Sequence, residues 1–149
     1  MSNDAKVTKD LMTTLKDGID GFTKGAEKLT ETKQRALAST FRKYADQRAA
    51  YYAELEKLAA GYGDDIEPSG SVVAGIHRGW MAVKDAMSGS SAEGVLDAAE
   101  QGEDKAKSSY EDALKDGMSA GLAVVIRRQY EGVRAGHDEV RSLRDSHEA

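Results

Sequence analysis

The sequence predicts an all-α protein: a four-helix bundle with a long crossover between its second and third helices, carrying a short extra helix. Three observations carry this. The stretch from Lys33 to Tyr62 places Leu37, Phe41, Tyr44, Arg48, Tyr51, Leu55, Leu58 and Tyr62 at alternating steps of four and three, the seam of a long buried helix. One proline in 149 residues, few β-branched runs and a charged fraction of 32% suit helices with solvated outer faces. The polar breaks are short within the first and last pairs of helical stretches and long between the pairs, which is the connectivity of a bundle with one crossover.

Taken in order, the first helix is expected over residues 8–29, with Leu11, Leu15, Ile19, Phe22, Ala26 and Leu29 as its stripe. Gly18 and Gly25 adjoin that stripe and would let a neighbouring helix approach closely. Thr30 to Thr32 read as a turn short enough to return the second helix, 33–61, antiparallel. The Gly61-Tyr62-Gly63 signal ends it, and Asp64 to Pro68 is a polar break. A shorter amphipathic helix follows at 71–87, with Ile76, Trp80, Val83 and Met87 on one face. Ser90 with Glu93 reads as a capping box opening the third helix, 91–116. That helix carries Leu96, Ala99, Glu103, Ala106, Tyr110 and Ala113 on one face. The fourth, 119–145, carries Leu122, Ile126, Gln129, Val133, Gly136, Val140 and Leu143, and the closing residues Asp145 to Ala149 are expected to fray.

A chain of this length is expected to form one domain, 1–149, burying about 70% of its unfolded surface. A net charge of −5 without a segregated basic patch argues against nucleic-acid binding. The absence of cysteine excludes disulfides, thiolate metal sites and a cysteine nucleophile. No apolar run reaches the roughly 18 residues of a membrane span, and the first ten residues lack a signal-peptide core. The expected location is therefore the cytoplasm.

Arg48 is the odd member of its seam. A guanidinium keeps its charge, so burial demands a partner from another helix. With the second and third helices parallel, Glu103 lies at the same height and also on a seam. The expectation is a buried, bidentate Arg48–Glu103 pair. Gln129 and His137, on the core side of the fourth helix, would complete a polar layer, with Tyr44, Tyr51 and Tyr110 supplying hydroxyls. Such a layer has two readings: a device that fixes helix register, or a variant of a metal site.

A di-iron site in a bundle takes a glutamate from each of two helices and Glu-x-x-His from the others. The nearest spacings here are Glu54-x-x-Lys57, Glu100-x-x-Glu103 and Glu131-x-x-Arg134, none with histidine. Arg48 would also repel a cation. The expectation is no cofactor, with an alternative mononuclear iron or manganese site built from Glu100, Glu103 and His137. His77, Arg78 and Trp80 form a candidate partner surface on the crossover helix, though a half-buried packing role is the plainer one. No serine has a histidine and an acid arranged for nucleophilic catalysis, and the glycines match no phosphate loop.

Five motifs occur in order: Asp17 to Phe22 (DG-x-x-GF), Arg48 to Leu55 (R-x-x-Y-x-x-EL), Gly70 to Met81 ending in HRGWM, Glu100 to Asp104 (E-x-GED), and His137 to Arg144 (H-D-x-V-R-x-L-R). Together they resemble a bacterial ferritin-like family of four-helix-bundle proteins of unknown function, over roughly Leu11 to Asp145. The resemblance implies a ferritin-like fold and a bacterial origin, and no established activity. Some members carry cysteine before the DG motif and before the third-helix acids; here those places hold Leu15 or Lys16, and Ala99. The functional expectation is a non-catalytic, self-associating, stress-associated bundle protein. The alternative is a divergent metal-binding oxidase or storage protein.

Overall fold

The computed structural model describes residues 4–62 and 92–148. They form four helices and no strand: α1 Asp4–Glu31, α2 Arg35–Ala60, α3 Ala92–Lys115 and α4 Ala120–Glu148. The short helix expected at 71–87, with its candidate residues His77, Arg78 and Trp80, lies outside the described residues. So does the Ser90 half of the expected capping box.

α1 and α4 run longer than the stripes suggest. α1 begins at Asp4 rather than Thr8, because Val7 and Thr8 are already buried and Asp4 is anchored. The Asp4 carboxylate accepts hydrogen bonds from the Ser119 amide at 2.9 Å and the Ser119 hydroxyl at 2.5 Å. Ser119 Oγ in turn accepts the Leu122 amide at 3.4 Å, capping α4. One carboxylate thus fixes the start of two helices. At the other end α1 passes through the expected turn to Glu31. The Thr30 and Thr32 hydroxyls donate back to Ala26 and Lys28 carbonyls, so these threonines serve the helix rather than break it. The turn itself is made by Lys33 in the left-handed region, φ 63°. The Gln34 amide reaches the Leu29 carbonyl at 2.8 Å, closing the helix end in the Schellman pattern. α4 continues helically through Asp145 to Glu148, past the expected fraying point.

The buried apolar residues fall into two clusters. One holds Phe22, Leu29, Phe41, Val95, Leu96 and Val140. The other holds Leu11, Leu15, Leu55, Tyr110, Leu122 and Ile126. The first draws on the later half of α1 and α4 and the earlier half of α2 and α3; the second draws on the opposite halves. α2 and α3 therefore run in one direction, α1 and α4 in the other.

The stripes need two adjustments. Ile19 is only half-buried, and Gly18 takes its place on the buried line of α1. On α2, Leu37, Tyr51 and Leu58 are half-buried, as is Tyr62 just past its end, while Ala38 and Ala59 are buried. The close approach expected at both α1 glycines is demanded at one. A Cβ on Gly25 would stand 2.7 Å from the Phe41 ring, whereas one on Gly18 would meet Arg48 at an ordinary 3.6 Å.

Candidate functional site

Between the two apolar clusters lies a waist of buried polar side chains. At its centre, Arg48 Nη1 donates to Glu103 Oε1 at 2.7 Å and Nη2 to Oε2 at 2.8 Å. Arg48 is 1% exposed and Glu103 2%. Both guanidinium forks and both carboxylate oxygens are thereby used, the geometry that best repays removing two charges from water. A third donor, Nε, goes to Gln47 Oε1 at 3.2 Å. Phe22 and Tyr44 present their rings to the guanidinium at 5.4 and 5.9 Å from its carbon to the ring centres. Burial pulls the arginine pKa down, but the Glu103 hydrogen bonds and charge outweigh it and hold Arg48 above its ordinary value.

α4 makes room for the pair by having glycine opposite it. A Cβ on Gly136 would lie 2.8 Å from Arg48 Nη2 and 3.1 Å from Glu103 Oε2. Only a residue without a side chain lets α4 cross here.

Two polar links flank the pair. Gln129, fully buried, accepts the Tyr110 hydroxyl at 2.7 Å and donates to Glu54 Oε1 at 2.8 Å. Glu54 also accepts Arg128, which lowers its pKa. On the other side the Tyr44 hydroxyl donates to Glu139. Burial, then that hydrogen bond, pushes the Tyr44 phenol well above its ordinary range; burial does the same to Tyr110.

His137, 5% exposed, stands between α3 and its own helix. Its Nε2 lies 2.5 Å from Asp104 and its Nδ1 3.0 Å from Asp138. Two carboxylates at both ring nitrogens call for two N–H donors, that is, for imidazolium. Burial lowers the pKa, but the hydrogen bonds to Asp138 and Asp104 prevail and leave it raised.

The residues considered as metal ligands do not converge. Glu103 is committed to Arg48, Glu100 pairs with Arg144, and His137 is held by Asp104 and Asp138. Among the described residues no group of three or more histidine, aspartate or glutamate side chains could hold a metal ion. Arg144 turns to the α3 acids Asp97 and Glu100. Sequence reasoning missed Glu54, Asp104 and Glu139 because they lie beside the stripes, where a carboxylate looks solvated. The height of Asp104, next to Glu103 and level with His137, was the one signal available.

The fold and this waist define a class: an all-helical bundle whose interior is divided by a satisfied ion pair. The chain belongs to the family described as a domain of unknown function, DUF2383, whose model matches residues 5–116. That span contains α1 from its second residue, α2, α3 and both members of the central pair; α4 lies beyond it. None of the curated proteins matches the chain.

Proposed function

We propose that this chain is a non-catalytic, ferritin-like bundle of a bacterial cytoplasm, with a long crossover between α2 and α3, that self-associates and serves a stress-associated role through its surface. The observation carrying this reading is the saturation of the waist. Among the described residues, the ionised groups there are matched by a counter-charge or hydrogen-bond partner. A guanidinium at the centre also sets a positive potential where a ferritin-like protein would hold a cation. The Arg48–Glu103 layer then fixes helix register and partner choice within the bundle, the best-attested use of buried ions. Ferritin-like character, bacterial origin and stress association come from the family resemblance of the motifs rather than from the geometry.

Elemental analysis of untagged protein, expressed with added iron and manganese, tests this. The reading predicts metal well below one ion per chain and a melting temperature unmoved by either metal. Tightly held iron or manganese near one ion per chain, lost in Glu103→Gln or His137→Ala, would replace it with an oxidase or storage role.

A further inference from the structure

The outer side of α4 carries six exposed charges in one line: Arg127, Glu131, Arg134, Asp138, Arg141 and Asp145, at alternating steps of four and three. That spacing is the one by which a coiled-coil helix presents two columns to its partner. Here the arginines form one column and the acids the other. The line lies opposite the buried row of Leu122, Ile126, Gln129, Val133 and Val140, so it faces away from the bundle.

Alternating charge along a helix is ordinarily explained by pairing within it. That explanation covers only part of this line. Arg134 reaches Glu131 at 2.9 Å. Arg127, four residues before Glu131, and Arg141, four before Asp145, make no ion pair among the described residues. Asp138 meets His137 and Asp145 meets Arg144 through Oδ1, which leaves the Oδ2 of each to accept a further donor.

The order of the charges is also self-complementary. Arg127 and Asp145 stand nine residues either side of Gly136, Glu131 and Arg141 five, and Arg134 and Asp138 two. Reversing α4 about the level of Gly136 therefore exchanges every cation for an anion. Two copies laid antiparallel at that level set arginine against acid in every layer, each pair repeated by the two-fold axis. Laid parallel, they would set like against like. At 1.5 Å per residue the line extends about 27 Å. It holds three cations and three anions, so two copies meet there without the repulsion that a net charge of −5 imposes elsewhere. Val124, an apolar side chain 64% exposed, continues the line one turn before Arg127.

We propose that this face of α4 docks on the same face of a second copy, antiparallel about Gly136, through a zipper of arginine–carboxylate pairs. This rests on the self-association read above and gives it a surface. Exposed ion pairs contribute little singly, but a run of them sets orientation and rejects mismatched charge.

Sedimentation equilibrium of the full chain and of two charge reversals, Glu131→Arg and Arg141→Glu, tests this. Both positions are exposed, so neither change endangers the fold. The parent is expected to dimerise at about 0.05 M salt and to do so about tenfold more weakly at about 0.5 M. Either reversal alone sets like charges across two layers and is expected to weaken the dimer about tenfold or more. Mixed one to one, the two variants are expected to pair with each other at close to the parental affinity, because each reversal then meets the other. A parent that stays monomeric throughout would overturn this surface and the self-association together. A parental dimer that neither reversal weakens, or that mixing the variants does not restore, would overturn this surface alone.

Discussion

Arg48 keeps its charge at every pH a folded protein meets, so its burial makes sense only with Glu103 opposite and glycine beside it. The glycine requirement gives a sharp contrast within α4. Alanine is the better helix former by about 1 kcal/mol, but at Gly136 its methyl would press on both members of the pair. Gly136→Ala is expected to cost about 1–3 kcal/mol net, as overpacking does. At Gly121 an added Cβ meets nothing within 4 Å, so Gly121→Ala should gain a few tenths to about 1 kcal/mol. Urea denaturation of the two variants side by side checks this. His137 supplies a pH dependence. Its folded pKa is raised, so its contribution is fully present below the ordinary histidine value of about 6.5 and is lost as pH rises through the higher folded value. Asp17 acts in the same direction at lower pH: its raised pKa makes stability fall as pH climbs from the ordinary 3.8 through about 6. His137 should therefore lower the denaturation midpoint as pH rises above the ordinary histidine value, and His137→Gln should abolish that decline. Asp17 lowers it at more acid pH, where Glu54, with its lowered pKa, acts in the opposite sense. At this scale the sequence showed the residues on the seams. Arg48 is legible because it interrupts an apolar spacing, and Glu103 because helix heights align it. Glu54, Asp104 and Glu139 were illegible because a flanking carboxylate carries no periodic signature.

Helix ends depend on single contacts that periodicity does not encode. The anchoring of α1 by Ser119, more than 100 residues away in sequence, extends it to Asp4. Nothing local distinguishes Asp4 from a frayed terminus. The end of α1 is similar: Thr30 and Thr32 suggested a turn, yet their hydroxyls return to helix carbonyls and the reversal falls on Lys33. A lysine in the left-handed region costs about 1 kcal/mol that glycine would not incur. Lys33→Gly is thus expected to stabilise by about 0.5–1 kcal/mol, less the extra freedom glycine brings to the unfolded chain. Its thermal midpoint should rise with no change in helical content by circular dichroism. A fall would mean that the Lys33 side chain contributes more than its backbone costs.

At the scale of the molecule, two apolar clusters are separated by the polar waist, and the waist is what tells one end from the other. Alanine- and leucine-rich seams at steps of four and three tolerate sliding by a turn. A bidentate pair between α2 and α3, with Gly136 facing it, fits at one register only. The all-helical fold was legible because four amphipathic stripes with short links inside each pair leave few ways to bury them. What the stripes could not convey is the polar bracing of α2 against α4 by Gln129, Glu54, Tyr44 and Glu139. The central claim is that Arg48 and Glu103 form a structural lock rather than a reactive centre. A double-mutant cycle tests it, comparing Glu103→Leu, Arg48→Met and the two together by chemical denaturation. Each single change should cost about 3–5 kcal/mol by stranding a buried charge, and the double change should return to within about 1–2 kcal/mol of the parent. Single losses below about 1 kcal/mol would contradict the account, because they would show that both charges reach water and the waist is not a lock.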